Sequence, residues 1–146
     1  MADWSKLDER TLNLIRGLLD GSSEPLNQHP PGIVKAMTYM AHHCQEEGIR
    51  LRDVAAQSNV SGSHLCWLFK HEVGLSVRQF LAVLRVERAK QVLSDRYARV
   101  QDAADVSGFG DLSSFERTFK KWVGCTPREY RKKALAQAKG AWSRDE

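Results

Sequence analysis

At 146 residues with 42% apolar side chains, the chain has material for one ordinary core or two very small ones sharing a helix, which argues against wholesale disorder. The net charge of +4 is uneven: residues 1–75 hold 7 Lys/Arg against 9 Asp/Glu, whereas residues 76–140 hold 14 against 7, an asymmetry that suits a polyanionic partner. Cys44, Cys66 and Cys125 are scattered, with no C-x-x-C pair and no zinc-finger spacing to a histidine; they read as reduced, small apolar fillers rather than a disulfide framework or metal site. No apolar run approaches membrane-spanning length and the start lacks a basic-then-apolar leader, so a soluble, cytoplasmic protein without a membrane partner is expected.

Trp4, Leu7, Leu14, Ile15, Leu18 and Leu19 recur at helical spacing and predict an amphipathic helix over 4–20. Asp20-Gly21-Ser22-Ser23 stops it, and Ser22–Gly32, with three prolines, reads as a linker. A second helix is expected from Ile33 to about Glu46, with Ile33, Met37, Met40, Ala41 and Cys44 inward and Gly48 at its end. Leu51–Ser58 predicts a two-turn helix with Leu51, Val54 and Ala55 facing the core. Asn59 then takes a turn that needs left-handed backbone. Ser61 caps the next helix, which buries Leu65, Leu68 and Phe69 and ends at Gly74.

Ser76 caps a long helix to about Ser94, with Phe80, Leu81, Leu84, Val92 and Leu93 as its apolar positions. From Val100 to Gly124 the same plan returns: Gly108 in the turn, Asp111 as cap, and Phe115, Phe119 and Trp122 inward. Thr126-Pro127 opens a last helix, with Thr as cap and Pro at the first helical position, and beyond about Ala138 little argues for order. The chain is therefore expected to be all-α, with about seven helices plus an extra N-terminal one. Its predicted divisions are 1–32 (N-terminal helix and linker), 33–75, 76–94 (connecting helix), 95–138 and 139–146 (tail).

The two similar stretches are a repeat. Val54-Ala55 … Leu65 … Phe69-Lys70 … Gly74 returns as Ala103-Ala104 … Phe115 … Phe119-Lys120 … Gly124, at an offset of 49 before the turn and 50 after it, so the second copy carries one extra residue near Gly110-Asp111. A short helix, a tight turn and a longer helix form the helix-turn-helix plan. Two such units in one small basic chain point to DNA. The connecting helix, about 19 residues, spans roughly 28 Å, close to the ~34 Å between successive major grooves on one DNA face.

Residues Gly108-Phe109-Gly110-Asp111-Leu112-Ser113-Ser114-Phe115-Glu116-Arg117-Thr118-Phe119-Lys120-Lys121-Trp122-Val123-Gly124-Cys125-Thr126-Pro127-Arg128-Glu129-Tyr130-Arg131 closely resemble the signature of the AraC/XylS transcription regulators. The first repeat, with Ser61, Ser63-His64-Leu65, Phe69-Lys70 and Gly74, resembles that family's first helix-turn-helix, and Leu84-Arg85 … Arg88-Ala89-Lys90 … Leu93 its connecting helix. The resemblance covers residues 33–133. It implies two helix-turn-helix subdomains joined by one long helix, with two recognition helices entering successive major grooves. With about 32 residues ahead of the match, the chain looks like the stand-alone members, which bind DNA as monomers; a natural fragment of a larger regulator is the other reading. The family further implies a transcription activator placed beside RNA polymerase, while a dimer formed through the N-terminal helix stays open.

Setting the inward positions aside leaves the expected DNA-facing residues. In the second unit these are Leu112, Ser113, Ser114, Arg117, Lys120 and Lys121. Arg117 is the candidate for direct readout, since a guanidinium can bond guanine O6 and N7 together; its alternative is a salt bridge to Glu116 or a neighbouring helix. Lys120 and Lys121 are expected at phosphates. In the first unit the candidates are Ser63, Cys66, Trp67 and Lys70. Trp67 aligns with Arg117, where the family usually shows Arg, and could pack on a thymine methyl, reach a phosphate through its N–H, or face a protein partner. Asp53 and Asp102, in the first turns of the short helices, suit the helix dipole. No histidine set has convincing metal spacing and no catalytic pair can be placed, so no cofactor, no metal and no enzyme are expected. The competing class is a protein-interaction or anti-regulator module of the same fold.

Overall fold

The structure, a computed structural model, describes residues 9–20, 29–46 and 48–144. They form eight helices: α1 (Glu9–Asp20), α2 (Pro31–His43), α3 (Leu51–Ser58), α4 (Gly62–Glu72), α5 (Val77–Leu93), α6 (Val100–Val106), α7 (Leu112–Val123) and α8 (Pro127–Arg144). No strand occurs among the described residues. The all-α expectation holds. The chain divides into two compact units, Met1–Leu84 and Arg85–Glu146, with the boundary inside α5.

In the first unit α2 packs against α1, α3 and α4. Ile15, Ile33, Met37, Met40, Leu65, Phe69, Phe80 and Leu84 are fully enclosed, and the Phe69 ring meets the edge of Phe80 at 5.3 Å between centroids. Trp4, Leu7 and most of the expected linker lie outside the described residues. Helix α2 departs from expectation at both ends. It begins at Pro31, with Pro30 as its N-cap: the proline pair, read as linker, opens the helix, because a proline at the first helical position loses no hydrogen bond. It ends at His43 with Cys44 as C-cap, and a turn from the Glu46 N–H to the His43 carbonyl follows, so Gly48 does not terminate it.

Helix α5 is set by a reciprocal cap. The Gln79 N–H donates to Ser76 Oγ and the Ser76 N–H donates to Gln79 Oε1, both at 3.0 Å. Of its expected apolar positions Phe80, Leu84 and Leu93 are buried and Leu81 and Val92 half-buried, while Val77, Val83, Val86 and Ala89 are also buried.

In the second unit α6, α7 and α8 pack on one another. An aromatic run, Phe109–Phe115–Phe119–Tyr130, links them with centroid separations of 5.5–5.7 Å. Lys90 Nζ sits 3.1 Å from the buried Glu87 carboxylate and 5.9 Å from the Tyr130 ring centre. The Glu129 N–H donates to Thr126 Oγ1 at 3.1 Å, so Thr126 caps α8 as expected. The helix runs on to Arg144 rather than stopping near Ala138. Ala134, Leu135 and Ala136 are strong helix formers, which carries the helix past the point where packing signals run out.

Candidate nucleic-acid interface

Both helix-turn-helix units are built by the same local chemistry. The short helices α3 and α6 start alike: Asp53 and Asp102 accept the backbone N–H of Arg50 and Arg99 at 3.1 and 2.8 Å. These carboxylates thus satisfy specific donors, beyond favouring the dipole. Both helices end on a buried serine, absent from the sequence expectations: Ser58 Oγ donates to the Val54 carbonyl and Ser107 Oγ to the Ala104 carbonyl. The turn then needs left-handed backbone, which Asn59 adopts at φ 59° and Gly108 at φ 83°. One residue, Val60, separates Asn59 from the cap Ser61; two, Phe109 and Gly110, separate Gly108 from the cap Asp111. The extra residue of the second copy therefore sits inside the turn.

The longer helices begin on side-chain caps and end on glycine. Ser61 Oγ accepts the His64 N–H at 3.1 Å. Asp111 Oδ1 accepts the Ser114 N–H at 2.7 Å, and Ser114 Oγ donates to Asp111 Oδ2 at 3.0 Å. That backbone bond, then the hydroxyl bond, then the Arg117 charge hold the Asp111 carboxyl below the ordinary aspartate value. Gly74 (φ 84°) and Gly124 (φ 91°) close α4 and α7 in left-handed conformation.

What remains is each helix's outer face. On α7, Phe115, Phe119 and Trp122 point inward. Leu112, Ser113, Glu116, Arg117, Lys120 and Lys121 are exposed. Ser114 is half-buried and its hydroxyl proton is committed to the cap. Arg117 takes part in no ion pair among the described residues, although its charge acts on the Asp111 carboxyl, and its side chain is exposed on the outer face.

On α4, Leu65, Leu68 and Phe69 are buried, while Ser63, Cys66, Trp67 and Lys70 are exposed. Cys66 is thus no apolar filler, although Cys44 is buried as expected: at i+1 from Leu65 it is turned about 100° around the helix, off the core row. Trp67, 55% exposed, lies between two imidazoles, His64 at 6.1 Å with planes 7° apart and His71 at 4.3 Å with planes 39° apart. The 3.6-residue period puts these three side chains on one stripe, which was the signal available in the sequence. Leu51, expected in the core, is 40% exposed; at the first position of α3 its side chain covers Gly62 at the start of α4, with Cδ2 3.7 Å from where a Cβ would lie.

Arg131, which ends the matched signature, holds structure: Nε donates to the Ala98 carbonyl at 2.8 Å and Nη2 to the Arg96 carbonyl at 3.3 Å, tying α8 to the segment that leads into α6.

A family model described as a helix-turn-helix domain matches residues 54–133, and the relatives are regulators of one kind. The chain belongs to the AraC/XylS family. It is 31% identical over 125 residues to the arabinose operon regulatory protein of Escherichia coli (strain K12), an alignment covering 82% of this chain and 43% of that relative. The chain thus spans under half the length of that regulator. Among solved structures, the C-terminal domain of AraT, a response regulator from Geobacillus stearothermophilus, matches with TM-score 0.68 at 29% identity over 71% of this chain and 86% of that one. The xylose-binding transcription activator xylR matches with TM-score 0.63 at 29% identity, over 70% of this chain and 27% of that one. Within this AraC/XylS chain the two repeats part at Trp67, which stands where the second copy has Arg117. No helix among the described residues is long and apolar enough to cross a membrane, and no group of three metal-ligating side chains occurs among them.

Proposed function

We propose that the chain is a sequence-specific double-stranded DNA-binding transcription regulator that lays α4 and α7 into successive major grooves. One observation carries this reading: two copies of one capped helix-turn-helix, each leaving the outer face of its second helix exposed. Helix α5, common to both units and about 25 Å long over its 17 residues, is within a helix diameter of the ~34 Å groove repeat. A single copy then reads two unlike half-sites, so the operator lacks two-fold symmetry and the protein binds as a monomer.

On α7, Arg117 reads guanine while Lys120 and Lys121 hold phosphates, with Leu112, Ser113 and Ser114 at the groove edge. On α4, Ser63, Cys66, Trp67 and Lys70 face the duplex. The similarity to an arabinose operon regulator and to a transcription activator favours activation through contact with RNA polymerase, in the cytoplasm and without an enzymatic step. Selection from random duplexes followed by footprinting tests the whole proposal. An asymmetric site protected over about two helical turns is expected. Protection of one turn only refutes the two-groove arrangement, and absence of selective binding refutes the function.

A further inference from the structure

The repeat makes α4 and α7 directly comparable, and their outer faces differ in kind. His64, Trp67 and His71 stand where α7 carries Ser114, Arg117 and Lys121. Lys70 is the one Lys or Arg of α4, against Arg117, Lys120 and Lys121 on α7. An indole offers a broad apolar face and a single N–H donor, so it cannot make the paired contact that a guanidinium makes with guanine O6 and N7. In the major groove the apolar group that distinguishes one base from the others is the C5-methyl of thymine.

We infer that the His64–Trp67–His71 stack is a specificity element that reads thymine methyl groups in the half-site under α4. The inference rests on the DNA-binding reading above and assigns its first half-site a chemistry opposite to the second's. The two imidazoles brace the indole at centroid separations of 6.1 and 4.3 Å. With its rotamer limited before binding, the ring loses little freedom on docking, and its exposed face covers the methyl. Helix α7 supplies most of the charge-based affinity and the guanine readout. Helix α4 contributes discrimination with little dependence on salt.

The test uses the full chain and its selected operator, with each thymine replaced singly by uracil, which removes only the 5-methyl group. Burying one methyl is worth about 0.8 kcal/mol, so at one or more positions in one half-site uracil weakens wild-type binding about fourfold. In Trp67→Ala, with its fold checked by circular dichroism, those positions are expected to become indifferent to uracil, while Trp67→Phe keeps part of the effect. Uracil in the guanine-reading half-site changes nothing in either protein.

Uniform indifference of the wild type to uracil, or an unchanged uracil penalty in Trp67→Ala, overturns the inference while the DNA-binding function stands. Normal binding by Trp67→Ala with loss of transcription in a reconstituted reaction assigns the stack to a protein partner and overturns it as well. If no duplex is bound selectively by wild type, both readings fall.

Discussion

Replacing Arg117 separates readout from attraction and folding. In the free protein the guanidinium takes part in no ion pair among the described residues and lies exposed on α7, so its removal should leave thermal stability within about 0.5 kcal/mol of wild type. The loss then falls on DNA. A bidentate arginine–guanine contact is worth about 1–3 kcal/mol of discrimination, so Arg117→Ala should weaken operator binding roughly 5- to 150-fold and make the protein indifferent to the base pair at one position. Arg117→Lys keeps the charge but loses the fork, so it should recover affinity on all duplexes without recovering preference. Fluorescence anisotropy on the operator and its three variants at that position, at two salt concentrations, reads both quantities. An equal loss on all four duplexes with a shallower salt dependence would make Arg117 a phosphate contact. A large fall in melting temperature would make it structural.

Three further perturbations test the scaffold. Asn59 holds φ 59° in the first turn, so Asn59→Gly should be close to neutral in urea denaturation and Asn59→Val should cost about 1–2 kcal/mol; equal effects would show that the left-handed conformation is not what matters there. Arg131→Ala removes two charged side-chain bonds to the Ala98 and Arg96 carbonyls and should cost about 2 kcal/mol, a loss that Arg131→Lys does not restore because one ammonium cannot reproduce the fork. The Asp111 carboxyl is held below its ordinary value of 3.8 by the Ser114 bonds, so its stabilisation is present above that value and is lost as pH falls through the lower, folded one. Asp111→Ala should therefore melt earlier than wild type at neutral pH, with the gap closing below about pH 4; a gap of constant size would assign the effect to something other than the ionised cap.

The features legible in the sequence were those in which one residue type settles one backbone conformation. Asn59 and Gly108 in the turns, Ser61, Asp111 and Thr126 as caps, and Gly74 and Gly124 as stops belong to this class. The buried row of α7 was legible too, because Phe115, Phe119 and Trp122 repeat at helical spacing. What escaped depends on the partner across a gap. Leu51 reads as core until Gly62 is known to pass beneath it. Arg131 reads as one more basic residue until two carbonyls more than thirty positions away come within reach. Pro30-Pro31 reads as linker because composition does not distinguish a proline before a helix from one at its first position.

The same contrast orders the two repeats. Their internal chemistry is shared: Asp53 with Asp102, Ser58 with Ser107, Leu65 with Phe115, Phe69 with Phe119, Gly74 with Gly124. Their outer faces keep Ser63 with Ser113 and Lys70 with Lys120 but differ at Trp67 against Arg117, Cys66 against Glu116 and His71 against Lys121. A surface under no demand would drift without regard to facing, and two copies required to read the same half-site would agree there. Shared interiors beside partly different exteriors are what the proposed function asks of one scaffold used twice to read two different sequences. Under the proposed function, that difference is what would give the operator its asymmetry, whichever bases each face turns out to prefer.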